Sequence, residues 1–220
     1  MLTRRGLLAT YRSLLRTFGA QQWWPADTPF EVMVGAVLTQ NTAWSNVERA
    51  IANLAGRGKL DAERILRARN DHLAGWLRPS GYFNIKARRL KNFCRWYLEQ
   101  GGYRRLARMP TQRLRQSLLS VNGIGHETAD DILLYAFDRP VFVIDAYTRR
   151  LFSRLGLVAG DEAYDDMRLA IEECLGHDAG LFNEYHALIV RHAKEHCRVK
   201  PQCSDCVLNV SCPSAHAGAP

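Results

Sequence analysis

Apolar residues return at a helical rhythm along nearly the whole chain, and that rhythm decides the fold class. Phe30, Val34, Val37 and Leu38 form one stripe, and Val47, Ala50, Ile51 and Leu54 the next. Leu90, Phe93, Cys94, Tyr97 and Leu98 form another. Leu114, Leu118 and Val121 precede Ala129, Ile132, Leu133, Ala136 and Phe137. Met167, Ala170, Ile171, Cys174 and Leu175 follow, then Tyr185, Leu188, Ile189 and His192. Each stripe fits the i, i+3, i+4, i+7 template of a helix that buries one face against partners. Breakers stand between them: Gly56 with Gly58, Pro79-Ser80-Gly81, Gly101-Gly102, Gly123 with Gly125, Pro140, and Gly156 with Gly160. Only residues 141–144 read as a strand, and one short strand makes no sheet. The expected class is all-α, a compact helical array.

At 220 residues the chain fills one large domain or two small ones, and its 47% apolar content is enough for a core. No apolar run approaches the roughly 18 residues of a membrane-spanning helix. Residues 1–20 are acid-free and hold Arg4, Arg5, Arg12 and Arg16, a composition that imitates an organellar transit peptide. Leu7, Tyr11, Leu14, Leu15 and Phe18 nevertheless fall at helical spacing, so the segment is expected within the fold. Without a secretory stretch, the expected location is cytoplasmic, with no membrane partner.

The formal charge of +8 is distributed unevenly. Residues 81–120 carry ten bases against Glu99 alone, whereas residues 121–195 carry seven bases against fourteen acids. A local excess of this size suits a polyanion such as nucleic acid; a well-solvated Arg-rich surface is the plainer alternative.

Cys197, Cys203, Cys206 and Cys212 are spaced C-x5-C-x2-C-x5-C within sixteen residues. Cys94 and Cys174 lie singly on apolar helical faces and read as core thiols. In a chain with no secretion signal, the four-Cys cluster points to a metal centre before disulfides. Tetrahedral zinc and a 4Fe–4S cluster both fit four thiolates, and spacing alone leaves the two open.

Between two amphipathic stretches lies Val121-Asn122-Gly123-Ile124-Gly125-His126-Glu127-Thr128-Ala129. Its two glycines allow a tight hairpin with backbone N–H groups of Gly123, Ile124 and Gly125 turned outward at a helix start, a nest for a phosphate. An ordinary αα-hairpin that needs glycine for positive φ accounts for them equally. Eighteen residues past Glu127 stands Asp145, between residues 141–144 and a further helix, where a helix N-cap is the plain reading.

Taken together, the Gly-x-Gly hairpin, the Asp at this distance and the C-terminal four-Cys loop resemble the endonuclease III-like DNA glycosylases of the helix-hairpin-helix superfamily. The likeness runs from about residue 28 to 212. It includes Leu38-Thr39-Gln40-Asn41-Thr42, Gly81-Tyr82-Phe83-Asn84-Ile85-Lys86-Ala87, and Arg150 with Arg154. It implies two helical domains: a six-helix barrel with the helix-hairpin-helix over residues 28–139, and an iron–sulfur domain built from 1–27 plus 140–220. The partner implied is double-stranded DNA with damaged bases, bound by a monomer, and the metal implied is 4Fe–4S with zinc as the alternative. Departures are specific. The first Cys gap is five where the best-known members have six, Asn122 stands where Pro is common, and Glu127 occupies the Schiff-base lysine position.

The resemblance gives Asp145 the task of stabilising an oxocarbenium-like sugar as a flipped base departs. A carboxylate at 127 cannot form the imine of a lyase, so a monofunctional glycosylase is expected. Lys86, Lys91 or Lys194 would have to substitute otherwise, and a Glu in a first helical turn also simply suits the dipole. Gln40 and Tyr82 are placed on loops that enter the duplex, Tyr82 as a wedge or else as a surface aromatic. Trp23, Trp24 and Trp44 read as core or as a base pocket suited to cationic N-alkylated purines such as 3-methyladenine. Together with Trp23-Trp24-Pro25 and Glu127, these features look like the 3-methyladenine branch of the superfamily. Oxidised pyrimidines with lyase chemistry, a non-catalytic damaged-DNA binder and a zinc-bearing regulator are the other readings.

Overall fold

The computed structural model describes residues 2–216, and these divide into two compact units, residues 24–139 and residues 2–23 with 140–216. The helices in chain order are α1 (Arg4–Phe18), α2 (Pro29–Leu38), α3 (Trp44–Ala55), α4 (Ala62–Arg67), α5 (Asn70–Trp76) and α6 (Phe83–Glu99). They continue with α7 (Tyr103–Leu106), α8 (Thr111–Leu119), α9 (His126–Asp131), α10 (Ala146–Arg154), α11 (Tyr164–Leu175), α12 (Ala179–Glu195) and α13 (Pro213–His216). No strand forms among the described residues. None of the described helices is long and apolar enough to cross a membrane.

In the unit of residues 24–139, α2 packs against α3, α6 and α9. Val34, Leu38, Val47, Leu54, Leu90 and Phe93 are wholly buried there, as the stripes require. Helix starts follow local chemistry: Thr28 caps α2 ahead of Pro29, and Asp61 caps α4. α4 and α5 leave little trace in the sequence because neither is long enough to repeat an apolar stripe.

The apolar run 129–137 does not stay α-helical. After α9 the backbone widens to a π-turn over Ile132–Ala136, and all five of its side chains are buried. A plain α-stripe would bury only part of such a stretch; the wider turn serves a surrounding core on several sides.

In the other unit, α12 packs against α1 and α10. Tyr185 is its centre: fully buried, it lies 5.8 Å from the rings of both Phe142 and Phe152, and its hydroxyl donates to the Leu7 carbonyl at 2.9 Å. Residues 141–144 are buried but form no strand. Side chains satisfy their backbone instead, Phe142 N donating to Glu172 Oε1 at 2.9 Å and Ile144 N to the Tyr164 hydroxyl at 3.3 Å. Arg168 in turn holds Glu172 at 2.8 Å, so one ion pair on α11 sets the path of the chain into α10.

Candidate functional site

The hairpin joins α8 to α9 in the unit of residues 24–139. Gly123 has φ of 102°, and a Cβ there would collide with the Arg89 side chain. Gly125 is extended, with open space where its Cβ would be. Ile124 departs from the outward-facing expectation. Its N–H turns in to the Val121 carbonyl at 3.0 Å and its side chain is buried, because closing so tight a turn uses that donor. A buried ion pair braces the motif: Arg115 of α8 meets Asp130 of α9 with bonds of 2.6 and 3.0 Å. Its only trace in the sequence is two opposite charges on the helices flanking a Gly-x-Gly turn.

Gln40 reaches this hairpin from the end of α2. Its amide donates to the Gly123 carbonyl and the Thr128 hydroxyl, each at 3.0 Å, while its oxygen accepts from Arg89. Tyr82 is the opposite case: it precedes α6 in a left-handed conformation, φ 45°, and is 70% exposed. Glu127 is the second residue of α9, exposed and placed where a negative charge suits the helix dipole.

Lys86 is buried, its ammonium donating to the Leu38 carbonyl at 2.8 Å and the Ser80 carbonyl at 2.6 Å. Burial, then the nearby Arg89 charge, pulls its pKa down to about 8. Lys91 donates to the Ala68 carbonyl at 2.6 Å, and Lys194 lies exposed on α12.

Trp24 and Trp44 meet edge-to-face with ring centres 4.7 Å apart, and Tyr135 of the π-turn lies 5.0 Å from Trp24. Gly35 of α2 lies against both indoles; a Cβ there would be 3.1 Å from Trp24 and 3.3 Å from Trp44. Neither Gly35 nor Tyr135 was singled out in the sequence. Trp23 is half-buried and belongs to the other unit.

In that unit Asp145 caps α10, its Oδ1 accepting from Thr148 N at 2.7 Å. Oδ2 faces Nε2 of the buried His186 at 3.5 Å. Burial pushes this carboxyl up, but His186 and the Thr148 donors outweigh it, and the pKa lies below the ordinary aspartate value. The group is a carboxylate at neutral pH.

The four clustered cysteines form no disulfide. They line one cavity of about 620 Å³ together with Arg154 and His192. Arg154 Nη1 lies 3.3 Å from Cys197 Sγ, and His192 Nε2 lies 3.2 Å from Cys206 Sγ. Burial pulls His192 down to about 4, which keeps it neutral at physiological pH. Among the described residues, no group of three or more such side chains is drawn together as closely as a metal ion would hold them.

The model of the HhH-GPD superfamily of base excision DNA repair proteins matches residues 34–177. The chain belongs to this superfamily. As an HhH-GPD protein it is by family a DNA glycosylase of base excision repair, of the endonuclease III-like type. It is 48% identical over 205 residues to the "Putative DNA repair glycosylase MJ1434" of Methanocaldococcus jannaschii, covering 92% of this chain and 93% of that one. Endonuclease III of Sulfolobus acidocaldarius is 29% identical over 185 residues, 83% of this chain and 81% of that protein. Among solved structures, the Helicobacter pylori 3-methyladenine DNA glycosylase bound to 1,N6-ethenoadenine aligns with a TM-score of 0.76 at 29% identity, covering 88% of this chain and 98% of that one. A non-covalent endonuclease III–DNA complex shares the fold at a TM-score of 0.83 and 21% identity, covering 98% and 97%.

Proposed function

We propose that this HhH-GPD protein is a monofunctional glycosylase that hydrolyses the N-glycosidic bond of a flipped, N-alkylated purine such as 3-methyladenine. The observation that carries the reading is Asp145, a half-buried carboxylate kept ionised by its own helix and by His186. A fixed negative charge stabilises the oxocarbenium-like sugar as the base leaves and orients the attacking water. Two points support the absence of a lyase step. The resemblance puts Glu127 at the lysine position, and the Lys86 ammonium is committed to two core carbonyls.

Double-stranded DNA is the partner in this reading, bound by a monomer in the cytoplasm. Gly123 and Gly125 present the hairpin to the DNA backbone, Gln40 braces it, and Tyr82 is the exposed wedge. Trp24 and Trp44 receive the base, and cation–π attraction favours a positively charged one by about 1–2 kcal/mol once water is excluded. The likeness to the solved 3-methyladenine glycosylase supports the same class.

Cys197, Cys203, Cys206 and Cys212 would hold a 4Fe–4S cluster. The donor set fits: four unbridged thiols with a guanidinium and a neutral imidazole beside two sulfurs. Such a cluster ties residues 197–212 into one compact loop.

The test is a panel of duplexes carrying alkylated, oxidised or deaminated bases, scored with and without alkali. Abasic sites appearing only with alkali, chiefly from alkylated purines, are expected. Strand cleavage without alkali together with borohydride trapping would favour the endonuclease III-type lyase on oxidised pyrimidines. Metal analysis should find iron and inorganic sulfide in equal amounts, about four of each per chain; one zinc per chain would overturn the cluster.

A further inference from the structure

Three residues on one side of α6, each three positions from the last, reach three different segments. Lys86 donates to the Leu38 carbonyl, just before Gln40, and to the Ser80 carbonyl, just before Gly81 and Tyr82. Arg89 donates to Gln40, whose amide in turn holds the Gly123 carbonyl and Thr128. Asn92 donates to the Asn122 carbonyl at 3.1 Å, at the hairpin itself. The hairpin glycine is also shaped around this row, since a Cβ at Gly123 would strike Arg89.

Burying an ammonium against carbonyls alone is a poor way to stabilise a core, because desolvation opposes it and an apolar side chain of that length would pack without the penalty. What the arrangement supplies is placement. Both segments held by Lys86 contain a non-glycine residue in the left-handed region, Asn41 at φ 53° and Tyr82 at φ 45°. Such conformations persist only where their surroundings over-determine them.

We propose that Lys86, Arg89 and Asn92 are positioning residues that lock the Gln40 turn, the Tyr82 turn and the hairpin into one rigid surface, so that gripping the DNA backbone and inserting Tyr82 occur as a single event. The DNA half of this statement rests on the glycosylase reading above; the mechanical half does not.

The experiment uses the full chain and the variant Lys86→Met, which keeps length and removes the three donors. Hydrogen exchange of the free protein is measured first. Residues 39–42 and 80–83 should exchange at least tenfold faster, and together, while the middles of α2 and α6 keep their protection. Faster exchange in only one of the two turns would overturn the proposal. Duplexes with 2-aminopurine beside an abasic analogue then separate grip from insertion. Affinity for undamaged duplex should stay within about threefold, while the fluorescence rise from unstacking falls at least tenfold. In a double-mutant cycle, Lys86→Met should add nothing to the unstacking defect of Tyr82→Ala; defects that multiply would sink the coupling. Asn92→Leu on the partly exposed end of the row serves if Lys86→Met does not fold, with faster exchange at residues 120–125 and the same unstacking loss expected. A wild-type protein that grips duplex but never unstacks the reporter would overturn the base-flipping reading, while the exchange result alone still decides the clamp.

Discussion

Asp145 uses its two oxygens for two tasks, and its substitutions separate them. Oδ1 caps α10 and Oδ2 meets His186. Asparagine can still cap, so Asp145→Asn should abolish base release with little change in duplex affinity, whereas Asp145→Ala should in addition lose about 1 kcal/mol of stability. Base-release assays beside urea unfolding check both. Because the folded pKa is depressed below the ordinary 3.8, the charged form contributes stability above that value and loses it as pH falls further. Acid should therefore erode the wild type more than Asp145→Asn. Lys86 shifts stability in the same direction for the opposite reason, because here the fold penalises the charged form. Its pKa falls from 10.5 to about 8, so the unfolded chain holds the proton more tightly between those values and stability rises with pH across that window. Urea midpoints of wild type relative to Lys86→Met should climb from pH 8 to 10.5; a flat difference would mean the ammonium is not buried. The capping position of Asp145 was readable from the residues around it. His186 was not, since a contact between α10 and α12 has no local signature.

Elements were legible in proportion to their length. α2, α3, α6, α11 and α12 repeat an apolar stripe and were anticipated from it, while α4 and α5 are too short to do so. The π-turn after α9 escaped because an apolar run gives no sign of whether its backbone widens. The hairpin shows the same limit: its glycines were visible, but the Arg115–Asp130 pair that fixes the angle of its two helices was not. That pair is almost fully buried, with side-chain exposures of 12% and 0%. Removing one member leaves the other charge with its desolvation cost, so Asp130→Ala should destabilise the protein by about 3 kcal/mol. Thermal unfolding checks the value. Duplex affinity should fall as well if the brace sets the hairpin geometry; unchanged affinity would assign the pair to stability alone. The aromatic group was half legible. Trp24 and Trp44 do come together, but the Gly35 that makes room for them has no side chain to announce it.

At the scale of the whole molecule, the all-α class followed from periodicity, and the family's motifs carried the functional reading further than charge did. The charge distribution still makes a quantitative statement. A surface that exchanges condensed counterions for phosphates loses affinity linearly in log salt, by about 0.9 per contact. Duplex affinity should therefore fall steeply between 50 and 200 mM salt, with a slope equivalent to several contacts, measured by anisotropy on undamaged DNA. A flat dependence would reduce residues 81–120 to a merely solvated surface. The division of the chain carries a different consequence, one of timing. The unit of residues 24–139 is continuous, whereas the other joins residues 2–23 to residues 140–216. At a ribosome adding about 5–20 residues per second, α1 emerges on the order of ten seconds before α12, the helix that covers Leu7 and Leu14, has been made. Through that interval the apolar side chains of residues 4–18 have no residues 179–195 to cover them, and that is when a chaperone would find its hold.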